Sequence, residues 1–98
     1  MLESTFKRKF LIKLETLYPG IIILQNDPEF RPGIPDTILL YGDRWAMLEF
    51  KRSSTARRQP NQDYYVDVLD KMSYAAFVCP ENERTILNDL QSALQPQR

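Results

Sequence analysis

Two apolar runs, residues 36–41 and 44–51, meet at Gly42-Asp43. A Gly-containing pair between runs of strand-forming residues closes a tight hairpin, and a two-residue loop sets the pairing of everything on either side of it. Tyr41 then faces Arg44, Leu40 faces Trp45, Ile38 faces Met47 and Asp36 faces Glu49. An odd-length loop or a bulge would slip that register by one and send the two carboxylates to different faces. In the even register they stand with Cβ atoms roughly 5 Å apart. Lys51, two residues beyond Glu49, projects from the same face, while Phe50 points the other way and leaves its carbonyl oxygen free to act.

The flanking segments follow from periodicity. Residues 3–18 carry Phe6, Phe10, Leu11, Leu14 and Leu17 at helical spacing, and Pro19-Gly20 ends that helix. Ile21 to Leu24 is short and wholly apolar, which predicts a buried strand. Asn26 to Gly33, with Pro28, Pro32 and Gly33, is a loop. Ser53 to Gln59 is a polar, basic loop free to move, and Pro60 suits the first turn of a helix that Tyr64, Tyr65, Val68, Leu69 and Met72 continue on one face. Residues 74–79 form another apolar strand, and 81–94 a helix with Ile86, Leu87, Leu90, Ala93 and Leu94 on its stripe and Glu81 and Glu83 at its start. The tail Pro96-Gln97-Arg98 is expected to fray. The order is α-β-β-β-α-β-α in one domain spanning 1–98, and the strand after the crossover helix should lie parallel to an earlier one.

Composition narrows the chemistry. The 98 residues include no His and a single Cys, Cys79. Histidine-based nucleophile schemes, His-ligated zinc, an internal disulfide and a cysteine-rich metal cluster are all excluded. Any reaction must use carboxylates, Lys, Arg, Tyr or hydroxyls. The net charge of zero hides an asymmetry: residues 1–58 hold ten Lys/Arg and seven Asp/Glu, residues 59–98 three and six. The basic runs are 51–58 and Lys7-Arg8-Lys9 with Lys13, which suit a polyanion or simply face solvent. No stretch reads as a signal peptide or membrane span, so a cytoplasmic protein is expected.

Asp36, Glu49 and Lys51 support two readings. One is a salt-bridged trio; the other is a site where two carboxylates and the Phe50 carbonyl hold a hard cation such as Mg²⁺ or Mn²⁺ while the ammonium activates water or steadies a phosphate. Like charges placed side by side in a buried sheet favour a cation between them.

Gly33-Ile34-Pro35-Asp36, a hydrophobic strand, then Leu48-Glu49-Phe50-Lys51, inside that element order, resembles the core of the PD-(D/E)XK nucleases. With Gln62 opening the next helix, the pattern is most similar to the virus-type replication-repair nuclease branch (VRR-NUC) and to small phage Holliday junction resolvases of the endonuclease I type. The resemblance implies a restriction-endonuclease-like α/β fold, with a mixed four-stranded sheet flanked by helices. It implies Asp36 and Glu49 as metal ligands, the Phe50 carbonyl beside them, Lys51 as the catalytic lysine, and Mg²⁺ as cofactor with Mn²⁺ as substitute. Glu3, on the first helix, matches the family's additional acid, although an acid there also serves the helix dipole. Gln62 contacts the site or a phosphate, or caps its helix.

Arg52, Arg57 and Arg58 follow the catalytic strand on the loop best placed to touch DNA, and Lys7, Arg8, Lys9 and Lys13 form a second rail. Trp45, Tyr64 and Tyr65 either stack on bases or pack, and Cys79 packs. The expected function is a metal-dependent, structure-selective DNA endonuclease, with a four-way junction as substrate and a two-fold homodimer as the working form. The alternatives are a nicking or restriction-like repair nuclease acting on flaps or duplex, and a catalytically silent nucleic-acid-binding module.

Overall fold

A computed structural model of the chain describes residues 2–27 and 29–95. The expected fraying of 96–98, and Pro28 of the 26–33 loop, lie outside the described residues. The elements run α1 Glu3–Leu17, β1 Ile22–Gln25, β2 Thr37–Tyr41, β3 Arg44–Phe50, α2 Gln62–Met72, β4 Ala75–Val78, a 3₁₀ turn Pro80–Asn82 and α3 Glu83–Leu94. The four strands form one sheet in the order β1-β2-β3-β4, antiparallel except for β3 and β4, which run parallel across the α2 crossover. This is a mixed α/β fold with three helices.

The hairpin closes in the even register: Tyr41 pairs with Arg44, Leu40 with Trp45 and Ile38 with Met47. Gly42 takes φ +62° while Asp43 keeps a negative φ, the arrangement in which glycine occupies the first turn position. β3 is the central strand, and its pleat sorts residues strictly. Ala46, Leu48 and Phe50 face α1 and α3, where they pack with Phe6, Phe10, Leu14, Leu39, Val78, Ile86, Leu90 and Leu94 in one core. Phe50 is held edge-on by Phe10 and Phe6, with centroids 5.5 and 6.1 Å away. Met47 and Glu49 take the opposite face, the one α2 packs against.

Three expectations are corrected. The run 21–24 is not a buried strand: β1 is an edge strand, with Ile22 and Leu24 55% and 45% exposed. Ile23 meets the core, but α2 lies over β3 and β4 and leaves the other face of β1 open. Nor does α2 bury the predicted stripe. Tyr64 and Met72 are exposed, Tyr65, Val68 and Leu69 half-buried, and Gln62 is the buried residue of the helix. The final helix starts two residues later than expected, because Pro80–Asn82 winds as a 3₁₀ turn in which the Asn82 side chain accepts the Cys79 N–H and donates to the Phe77 carbonyl. Cys79 is buried, as packing required. Among the described residues no helix is long and apolar enough to cross a membrane.

The edge position of β1 sets a measurable contrast. Leu39→Ala, which empties a fully enclosed site, should cost about 2–5 kcal/mol, whereas Leu24→Ala should change stability by no more than about 0.5 kcal/mol. Urea denaturation of the two variants checks this, and equal losses would place β1 in the core.

Candidate active site

Asp36 lies one residue before β2, so the last ladder pair is Thr37 with Leu48, and Asp36 meets Glu49 just past it. The Asp36 N–H donates to Glu49 Oε1 at 3.2 Å. Thr37, fully buried, donates its hydroxyl to Asp36 Oδ1 at 2.8 Å and so fixes the rotation of that carboxylate. Asn26 pins the incoming loop: its N–H donates to the Asp36 carbonyl (2.9 Å) and its side-chain amide to the Pro35 carbonyl (2.7 Å). Both acids line a cavity of about 450 Å³ whose walls include Asn26, Gly33, Ile34, Asn61 and Gln62.

The roof of this cavity is a close backbone approach. Gly33 has φ +96°, and a Cβ there would stand 2.7 Å from Asn61 Cβ. Asn61 is itself left-handed (φ 71°) at the entry to α2. Gln62, 7% exposed, accepts the Gln59 N–H through Oε1 at 2.7 Å, which closes the turn and leaves its side chain beside the acids.

Glu49 is 8% exposed. Burial, then the neighbouring Asp36 charge, pushes its proton affinity up, against the opposing pull of Lys51 and the Asp36 N–H; Glu3 adds further repulsion. Its pKa moves from an ordinary 4.5 to about 7. A buried carboxylate beside another acid is the place a hard cation fits. Among the described residues no three Asp, Glu, His or Cys side chains converge to hold a metal. The donor set therefore suits Mg²⁺ bound by one or two carboxylates with water or phosphate completing the shell, rather than an all-protein cage.

The other predicted residues scatter around this pair. Glu3 opens α1 and is exposed, so it acts on Glu49 through its charge. Phe50 anchors its own backbone through its buried ring. Lys51 follows β3 and donates to the Arg57 carbonyl at 3.1 Å, in a smaller cavity of about 110 Å³ with Ser53, Arg58, Phe77 and Asn82. The loop expected to be free is tied down: Ser54 donates its N–H and hydroxyl to Glu81 Oε2, both at 3.1 Å. Arg58 pairs with Asp63 and lies 3.9 Å over the Phe77 ring. Arg52 and Arg57 are exposed.

The second basic cluster is not one rail. Arg8 and Lys9 are exposed, Lys13 binds Glu83 Oε2 at 2.6 Å on α3, and Lys7 turns to the acid pair, its Nζ 3.6 Å from Asp36 Oδ2. Trp45 is half-buried, and Tyr64 and Tyr65 stack edge-on at 5.1 Å. The supports missed from sequence are Asn26, Thr37 and Asn61, together with the true position of Lys7. The Gly33-Ile34-Pro35-Asp36 string stood out as part of a motif, but nothing local pointed to its contact with Asn61.

With its pKa raised on folding, Glu49 binds a proton more readily in the folded chain than in the unfolded one. Stability is greatest below pH 4.5 for this group and falls as pH rises through about 7. Glu49→Gln, which cannot ionise, should therefore stabilise the metal-free protein by on the order of 1–2 kcal/mol at pH 8 and by little at pH 4.5. Thermal unfolding across that range checks it, and equal stability of the two proteins at pH 8 would contradict the burial cost. Comparison of the chain with protein-family models, with curated proteins and with solved structures finds no match.

Proposed function

We propose that this chain is a metal-dependent DNA endonuclease with a PD-(D/E)XK-like, restriction-endonuclease-like core. One observation carries the reading: Asp36, just before β2, and Glu49, on β3, meet at the floor of an open cavity with Glu49 buried as an acid that resists ionisation. Asp36, Glu49 and the Phe50 carbonyl would hold Mg²⁺, or Mn²⁺ in its place, with Glu3 at the margin. When bound, the ion supplies Lewis acidity to the scissile phosphate.

The chain's own groups do the rest. The Lys51 ammonium, released from the Arg57 carbonyl, holds the attacking water or the charge that grows on the phosphate. Gln62 offers its amide to a phosphate oxygen at the cavity wall. Arg57 and Arg52 meet the DNA backbone, while Arg58, engaged by Asp63 and Phe77, holds the loop in place. The likeness of the Asp36, Glu49 and Lys51 motif to that of small junction resolvases makes a four-way junction the leading substrate. Paired incision of a two-fold junction calls for a homodimer, in a cytoplasmic setting.

A second reading has its own support. Lys51 sits in a different cavity from the acids, and three acids do not converge among the described residues. Both features fit a silent nucleic-acid-binding module.

Incubation of a labelled four-way junction and of matched duplex with Mn²⁺ decides between them. Cleavage of the junction, lost in Asp36→Asn and Glu49→Gln and reduced at least about a hundredfold in Lys51→Ala, supports the nuclease. Binding without cleavage leaves the module, and equal cleavage of duplex removes junction selectivity. Arg57→Ala should weaken DNA binding at low salt and lower the salt slope by about one, measured by fluorescence anisotropy.

A further inference from the structure

Lys7 is half-buried on α1, one turn after Glu3. Its Nζ donates to Gln25 Oε1 at 2.8 Å, stands 3.6 Å from Asp36 Oδ2, and lies 5.4 Å from the centroid of the Phe50 ring. Three elements thus hold one ammonium against Asp36, the outer member of the acid pair: the α1 backbone, the end of β1 and the aromatic anchor of β3. Its side chain is 22% exposed and that of Asp36 32%, so the pair is screened less than a surface ion pair. Lys51, the lysine of the motif, makes no ion pair within 4.0 Å with either acid.

We propose that Lys7 is the resident counter-ion of the acid pair and that a divalent cation enters by exchange with it. Two neighbouring carboxylates need positive charge nearby for the fold to tolerate them. With no divalent ion bound, the Lys7 ammonium supplies it by direct contact at Asp36, while Lys51 acts on Glu49 through its charge from farther away. A divalent ion at Asp36 and Glu49 would repel that ammonium and free it from Asp36, with Gln25 still within its reach. Lys7 is thus a positioning residue that lowers metal affinity in the absence of substrate and presents a cation when substrate arrives. This inference rests on the metal-site reading and extends it to a residue outside the motif.

The test reads metal binding rather than cleavage. Mn²⁺ titration by calorimetry should show Lys7→Met, which keeps the apolar stem over Phe50, binding about fivefold more tightly than wild type, and Lys7→Arg close to wild type. Unchanged or weaker Mn²⁺ binding in Lys7→Met, or equal tightening in Lys7→Arg, overturns the proposal. A second measurement needs no variant. Limited acetylation of wild type, read by peptide mass spectrometry, should label Lys7 about threefold faster when Mn²⁺ saturates the protein, with Lys9 unchanged. Labelling of Lys7 that ignores Mn²⁺ also overturns it. A wild type that binds no Mn²⁺ at all would bring down the metal site itself, an outcome distinct from Mn²⁺ binding that Lys7 does not influence.

Discussion

Glu49 and Phe50 are neighbours on the central strand, and the pleat sends them to opposite faces of the sheet. Phe50 is locked between Phe6 and Phe10 in the main core, so the backbone of β3 cannot shift without unpacking three aromatic rings. That lock holds Glu49 where its carboxylate must lie under the entry to α2 and against the Asp36 N–H. The energy of the aromatic packing is spent in part on keeping an acid where water cannot solvate it well.

The rest of the site keeps that arrangement tolerable. Thr37 orients Asp36, Asn26 fixes the loop that delivers it, and Lys7 brings a positive charge alongside. The cost that remains shows in the proton affinity of Glu49. A fold under no other demand would place an amide or an aliphatic residue there, so an acid at this position points to a task beyond stability. The same logic applies to the left-handed Asn61, whose backbone meets the bare Cα of Gly33 to roof the cavity.

The basic loop after β3 is the other half of the design. A charge run with no large apolar residue to bury is expected to wander. Here Glu81, on the 3₁₀ turn before α3, gathers the Ser54 N–H and hydroxyl, and the Ser54 N–H foremost, with Glu81's own N–H and the Ser54 hydroxyl, holds its carboxylate below the usual range. The Arg57 carbonyl in turn detains Lys51. The loop therefore couples the 3₁₀ turn before α3 to the lysine of the motif, and how Lys51 is shared between that carbonyl and the acids governs the chemistry proposed for it.

Much of this was readable before any coordinates. Among the described residues, periodicity located the three α-helices and four strands within one or two residues, and the Gly42-Asp43 turn, once closed as a two-residue loop without a bulge, brought Asp36 to Glu49. Local rules suffice there because a two-residue turn and a period of two leave no freedom. What tertiary structure decided was everything that depends on which surface a neighbour covers. The apolar run of β1 looks the same whether it is central or at an edge, and only the placement of α2 exposes Ile22 and Leu24. Lys7 reads as one of several cations on a helix until the packing angle of α1 brings its ammonium, and not that of Lys9 or Lys13, to Asp36. Sequence periodicity assigns a residue to a face of its own element, whereas contacts between elements arise from packing across distances in the chain that no local pattern encodes.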